Sequence, residues 1–261
     1  MDSLATRDPR KHLSKSFMVG ADLCGERAFL DIHHPRPFVS NERMAFGTAV
    51  DAGIQHLIGF GEEGAVATDW AMAALKPGSP AVDRLAIEQA LVDFAATILP
   101  AFSWTDALVQ HHIRIDIAGM GTIDCHPDII LNDGTILDIK TAAKAKSATA
   151  AQEAILELGF YAFARFYETG KMPPRVGYVT WVRSAKPYWQ VVMADVTPKM
   201  IDRAVARAAT YRRAIEADMA HNQGRDNPEN VAFPNGPRFG GLCNDCVHNP
   251  RNGGECSISE E

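Results

Sequence analysis

At 261 residues, 46% of them apolar, the chain is long enough to bury a substantial core, as one large domain or two small ones. A formal net charge of −6 excludes a protein coated with positive charge for indiscriminate nucleic-acid binding, so any such role needs a local basic groove or a bound cation. No run reaches the roughly eighteen apolar residues of a membrane span and MDSLATRDPRKHLSKS lacks the apolar centre of a secretory signal, so the expectation is a cytoplasmic protein with no membrane partner.

Residues 1–16 are polar and expected to fray. FMVGADLCGERAFL, 17–30, reads as a short helix carrying Cys24, and HHPRPFVSN, 33–41, as a proline-broken loop. Helices are expected over 43–60 and, after the breaker KPGSP, over 81–99. Three strand-like runs follow at 107–117, 121–131 and 135–141. A long helix is expected from 149 to 168, opened by a capping-box pattern at Thr149-Ala-Ala-Gln152 and closed by Gly170 and Pro173. VGYVTWV (176–182) and YWQVVMADV (188–196) form a hairpin, and a helix over 198–220 carries Arg203, Arg207, Arg212 and Arg213. No phosphate-cradling glycine loop is present, which argues against a nucleotide-driven motor. Helices, three strands, a helix and two strands predict an α/β fold with a mixed central sheet flanked by helices.

The stretch CHPDIILNDGTILDIKTA, 125–142, carries the chemistry. If Asn132-Asp133-Gly134 is a three-residue loop with Gly134 in the left-handed region, Leu131 pairs with Thr135 and Asp128 falls opposite Asp138. Alternation then puts Asp124, His126, Asp128, Asp138 and Lys140 on one face, with Ile130 and Ile136 the apolar members of that face. Ile123, Cys125, Ile129, Leu131, Leu137 and Ile139 share the other. A two-residue Asp133-Gly134 turn would instead put Asp128 and Asp138 on opposite faces. Opposed carboxylates repel, so the pairing points to a bound divalent cation with a lysine one pleat away, the apparatus of phosphodiester hydrolysis. A solvated, charged hairpin is the alternative reading of the same spacing.

Pro127-Asp128 followed by Asp138-Ile139-Lys140-Thr141 resembles the PD-(D/E)xK nuclease superfamily, with a restriction-endonuclease-like core. CHPDII and ILDIKTA are similar in particular to RecE-type and RecB-type exonucleases. The resemblance implies a metal-dependent DNA exonuclease acting in recombination or end processing, in a bacterial or phage-infected cell. The partners it implies are single-stranded DNA or DNA ends, a recombination protein and further copies of the chain. It implies Mg2+ or Mn2+ held by Asp128 and Asp138, with the Ile139 carbonyl and Asp51 as further ligands and Lys140 orienting the attacking water. Asp51 closes Gly47-Thr48-Ala49-Val50-Asp51, where the family usually has a histidine, and Glu157 with Tyr161 stands for the family's Q-x3-Y. Gly121-Thr-Ile-Asp124 matches the G-x-x-D form found in RecB-type members, which makes Asp124 the rival of Asp128. Lys144, Lys146, Arg203 and Arg207, with Arg212 and Arg213, are candidates to line a DNA groove. Other readings are a structure-selective endonuclease, a CRISPR-adaptation nuclease, or a non-catalytic DNA-binding subunit of the same fold.

In a reducing compartment the five cysteines read as ligands or buried thiols rather than disulfides. Cys243, Cys246 and Cys256 form a C-x2-C-x9-C cluster, for which Cys24 is the candidate fourth ligand, and Cys125 remains as core packing. From spacing alone the ion would be zinc, and His248 is able to replace a cysteine. One cysteine before the nuclease core and three after it is also similar to the iron-sulfur exonucleases, AddB-type and CRISPR-associated. That resemblance implies a structural [4Fe-4S] cluster joining the N-terminal helix, about 17–30, to the tail, about 240–258, of a single nuclease domain.

Overall fold

The computed structural model describes residues 8–36, 40–61, 64–233, 246–249, 252, 254 and 256. A two-residue strand β1 (His12–Leu13) leads into helices α1 (Lys15–Leu23) and α2 (Gly25–His33), followed by α3 (Glu42–Phe60), α4 (Gly64–Ala73) and α5 (Arg84–Thr97). Strands β2 (Leu108–Val109), β3 (Ile113–Ile117), β4 (Gly121–Cys125), β5 (Ile129–Ile130) and β6 (Ile136–Ala142) come next. The chain continues through α6 (Ala150–Glu153), a π-helical turn (Ile155–Gly159), α7 (Phe160–Thr169), β7 (Arg175–Val182), β8 (Tyr188–Asp195) and α8 (Pro198–Asn222). No described helix is long and apolar enough to cross a membrane.

Among the described residues the strands form two mixed sheets. The larger has the order β2-β5-β6-β7-β8, with β6 and β7 parallel and the other pairs antiparallel. The smaller has the order β1-β4-β3, with β1 parallel and β3 antiparallel to β4. The expected fold class is therefore the observed one: a mixed central sheet covered by helices. Ile129, Leu137, Ile139, Val179 and Trp181 on one face of the larger sheet pack on Val50, Ile54, Leu57, Leu91 and Phe94 of α3 and α5. On the other face, Ile130, Ile136, Val176 and Tyr178 meet Phe160 and Phe163 of α7, Met200 and Ile201 of α8, and Ile113, Ile123 and Cys125 of the smaller sheet.

The β5–β6 hairpin has the expected register. Leu131 N–H donates to the Thr135 carbonyl at 2.8 Å, Gly134 N–H donates to Leu131 at 2.8 Å, and Gly134 lies at φ +88°, a conformation glycine adopts without Cβ strain. The Asp133 carboxylate takes the Thr135 N–H at 2.8 Å and its hydroxyl at 3.0 Å, closing the turn locally.

Five expectations need correction. The run 107–117 is two strands, β2 in the larger sheet and β3 in the smaller. Residues expected to fray contain β1 and the first residues of α1. The helix expected over 17–30 is two helices, with Cys24 extended between them (φ −156°, ψ 113°). The run 121–131 is two strands in two different sheets, because His126-Pro127-Asp128 leaves the ladder. The helix expected over 149–168 is interrupted by the π turn, and the Thr149 side chain makes no capping bond. α4 had no counterpart in the sequence reading.

Candidate active site

Asp138 and Lys140 stand two residues apart on β6 and so project to one face, beside Ile136. That face is covered by helices, and Asp138 is completely buried. Register continued beyond Ile129↔Leu137 brings Asp128 opposite Asp138 and Pro127 opposite Ile139. Proline has no N–H to give the ladder, so pairing stops there and the Asp128 carboxylate takes the Ile139 N–H instead, at 2.8 Å. A strand residue points its N–H and C=O to the same edge, so the Ile139 carbonyl also faces this end of β5.

Asp51 arrives from α3. Asn41 caps that helix, and Gly47, one turn before Asp51, lets it lie against β6: a Cβ there would stand 3.3 Å from the Thr141 hydroxyl. The Asp51 carboxylate accepts from Gln55 Nε2 at 2.8 Å and from Gln110 Nε2 at 3.3 Å. Gln110 Nε2 also reaches Asp128 at 3.2 Å, while the Gln110 N–H donates to the Asp128 carbonyl at 2.8 Å. Gln110 makes these contacts from φ +49°, a left-handed backbone that costs a non-glycine residue of order 1 kcal/mol.

Lys15, at the first position of α1, completes the group. Its ammonium donates to Asp138 Oδ1 at 3.2 Å, and the Lys140 ammonium lies in a close ion pair with Asp138 Oδ2. The pairing of β1 with β4 and the Ser14 cap, which accepts from Phe17 N at 3.2 Å, fix where α1 begins.

Burial and neighbouring charge together explain the titration pattern. Burial, with Asp138 and Asp51 nearby, pushes the Asp128 carboxyl up to about 7. Burial raises Asp51 to about 6, against the opposing effects of Gln55 and Lys140. For Asp138 burial also acts upward, but Lys140 and Lys15 outweigh it and hold the carboxyl below its ordinary value. Burial would lower both lysines, yet Asp138 and Asp128 hold them above the usual ammonium range.

Glu157 lies in the π turn and accepts the Tyr178 hydroxyl in a short hydrogen bond. Lys146 Nζ sits 3.9 Å from the centre of the Tyr178 ring, and its backbone is clamped by Gln190 at 2.8 and 2.9 Å. Tyr161 is buried with Lys15 Nζ 4.7 Å from its ring centre, and burial with the Asp138 and Asp128 charges raises its phenol, so it stays neutral.

Asp124 lies elsewhere, a correction to its place on the Asp138 face: with the 121–131 run broken, it meets His112 at 3.2 Å, Arg114 at 3.5 Å and His126 at 3.9 Å on the smaller sheet. Arg212 leaves the groove set too, being buried and donating to the Met120 and Arg10 carbonyls at 2.8 and 3.1 Å. Arg203, Arg213 and Lys144 are exposed, and Arg207 is ion-paired to Asp22. Lys15 and Gln110 were not foreseen. Ser14 followed by Phe17 and Met18 is a helix-start signal that would have found the first; nothing local announces the second.

Cys125 is buried in the core, as expected. Cys24 is the N-cap of α2. The tail docks on that helix: buried His248 binds Asp31 at 2.7 Å, and Arg36 donates to the Val247 carbonyl at 3.3 Å. Cys256 N–H donates to His248 at 2.9 Å, so Cys246 and Cys256 lie on one compact turn. Cys243 lies outside the described residues.

Neither a protein-family model nor a curated protein sequence matches the chain. Among solved structures it is similar to a Eubacterium rectale protein described as a "putative exonuclease", at TM-score 0.54 and 11% identity over 82% of each chain. A second structure, of the protein SSO0001, aligns with 86% of this chain and 92% of its own at 12% identity, but its TM-score of 0.33 is too low to bear on the fold.

Proposed function

We propose that this chain is a divalent-metal-dependent deoxyribonuclease, an exonuclease that hydrolyses phosphodiester bonds from DNA ends in recombination or end processing. The observation that carries the reading is the convergence of Asp51, Asp128 and Asp138 from three separate segments, with Lys15 and Lys140 both on Asp138. Burying carboxylates is costly: burial raises both Asp51 and Asp128, the neighbouring aspartates add to the rise at Asp128, and a bound cation relieves that cost. The all-oxygen set of Asp51, Asp128, Asp138 and the Ile139 carbonyl suits Mg2+ or Mn2+. Such an ion, when bound, neutralises the scissile phosphate and acidifies a water.

The chain's own residues supply the rest. Both lysines are held protonated, so they serve as fixed donors rather than bases: Lys140 orients the attacking water and Lys15 balances charge on Asp138. Gln110 holds Asp51 and Asp128 in one geometry. Glu157, anchored by Tyr178, acts on Lys15 and Lys140, neutral Tyr161 lies beside Lys15 and the aspartates, and Lys144, Lys146, Arg203 and Arg207 contact the DNA backbone. Residues from both sheets share one apolar cluster, which supports reading the chain as one nuclease domain. The description attached to the E. rectale structure agrees with a nuclease reading. A four-cysteine centre, [4Fe-4S] or zinc, as a staple between the two ends belongs to the same proposal: the Cys246–Cys256 turn docks on the helix capped by Cys24, while the three described thiols of that set do not lie within 4.8 Å of one another and would have to close on the metal.

The test is to incubate protein purified without oxygen with end-labelled linear and covalently closed circular DNA, single- and double-stranded, with and without Mn2+. Mn2+-dependent release of nucleotides from linear DNA, lost in Asp138→Asn, is expected. Equal attack on circles would replace the exonuclease with an endonuclease, and absence of Mn2+-dependent cleavage would overturn the enzyme.

A further inference from the structure

We infer that His112, Asp124 and His126 form a second cation site, for a borderline transition metal such as Zn2+, distinct from the all-oxygen site. The register Ile113↔Cys125 and Arg114↔Asp124, continued by one residue, puts His112 opposite His126 across β3 and β4. Alternation turns Ile113, Ile123 and Cys125 into the core and sets His112, Arg114, Asp124 and His126 on the outer face. The two imidazoles stack with centroids 4.3 Å apart and planes 8° from parallel. Each directs Nε2 at the same Asp124 oxygen, from 3.2 Å and 3.9 Å.

The donor atoms of the three residues lie within 4.8 Å of one another, the group of three or more such ligands found among the described residues. Ligands about 2.0–2.1 Å from a tetrahedral ion stand roughly 3.4 Å apart, and the two measured separations straddle that distance. The backbone register therefore already sets the spacing, and binding an ion requires the stacked imidazoles to rotate about their side-chain bonds so that each Nε2 lone pair, which lies in its ring plane, meets the ion. Two imidazoles and one carboxylate favour Zn2+, Co2+ or Ni2+ over Mg2+, and three protein ligands leave a position open to water. Arg114, 3.5 Å from the second Asp124 oxygen, orients the carboxylate from outside. Both histidine side chains are about half exposed (48% and 52%), so the ion enters from solvent. It would cross-link the segments that lead into Gln110 and Asp128, each two residues away in sequence. The site stands on residues the proposed nuclease chemistry does not use, so either proposal survives the failure of the other.

Cobalt(II) is the probe, titrated into chelator-treated full-length protein and followed by its visible d–d absorption. Thiolate ligation at the cysteines would add near-ultraviolet charge transfer and is separated by that band. Wild type and Asp138→Asn are expected to give the d–d band with similar affinity and to lose it on adding Zn2+. The His112→Ala/His126→Ala double variant should lose it, and Asp124→Asn should bind at least tenfold more weakly. An undiminished band in the double variant, or no band in wild type, overturns the site. Should the double variant fail to fold, diethylpyrocarbonate labelling of wild type decides: Zn2+ must protect His112 and His126, and equal labelling with and without Zn2+ refutes the proposal.

Discussion

Replacing Asp128 by asparagine changes the charge of the carboxylate cluster and almost nothing of its shape. In metal-free protein the Asp128 carboxyl is raised to about 7 from 3.8, so the folded state keeps a proton that the unfolded chain has already released. Stability therefore falls as pH rises from about 4 to about 7 and is lowest above that window. At about 1.4 kcal/mol per unit, the shift corresponds to about 4 kcal/mol of strain at pH 8. Asparagine retains a carbonyl for the Ile139 N–H but, with its amide nitrogen toward Gln110, loses a charge-assisted hydrogen bond of about 2 kcal/mol. The net expectation is a metal-free variant more stable than wild type by about 2 kcal/mol at pH 8, a rise of roughly 4–8 °C in Tm. At pH 5, where wild-type Asp128 is already protonated, the gain should vanish. Urea melts at both pH values check this, and repeating them with Mn2+ should stabilise wild type while leaving the variant unchanged. A variant less stable than wild type at pH 8 without metal, or equally stabilised by Mn2+, would refute the electrostatic account of the site.

Lys140→Ala should cut DNA turnover by at least about a hundredfold while Mn2+ affinity stays within tenfold, because Lys15 still neutralises Asp138; if Lys15→Ala alone has that effect, the reacting lysine is the one on α1. Gln110→Ala should weaken Mn2+ binding by about 10–100-fold by releasing Asp51 from Asp128, measured by calorimetry, and unchanged affinity would remove Gln110 from the site. Arg212→Met should lower stability by about 2–3 kcal/mol, by stranding the Met120 and Arg10 carbonyls, without changing the salt dependence of DNA binding; a shallower salt slope would return Arg212 to the groove. Cys243→Ala should give colourless protein of lower stability, and a colourless wild type holding one zinc per chain would exclude the iron-sulfur reading.

The hairpin was legible because its determinants are local. Asn132-Asp133-Gly134 sets the loop, Gly134 supplies the left-handed residue, and a period of two then carries Asp138 and Lys140 to one face and Asp128 to the position opposite. Pro127 was legible as a ladder breaker, although what it does here is free Asp128 to take the Ile139 N–H. Three things needed the tertiary structure. The departure of His126-Pro127-Asp128 from the ladder assigns β4 to a second sheet and moves Asp124 from Asp138 to His112. The Lys15–Asp138 contact joins residues 123 apart in sequence, and the Gln110 bridge draws on α3 and the end of β5. Above all, the face that alternation marks as charged lies under helices, so Ile130 and Ile136 are core, Asp128 is raised to about 7, and Asp138 stays ionised because Lys140 and Lys15 stand beside it. Alternation specifies which side chains share a face; only the packing of α1, α7 and the π turn decides whether that face meets water, and with it the dielectric in which the carboxylates hold their charge.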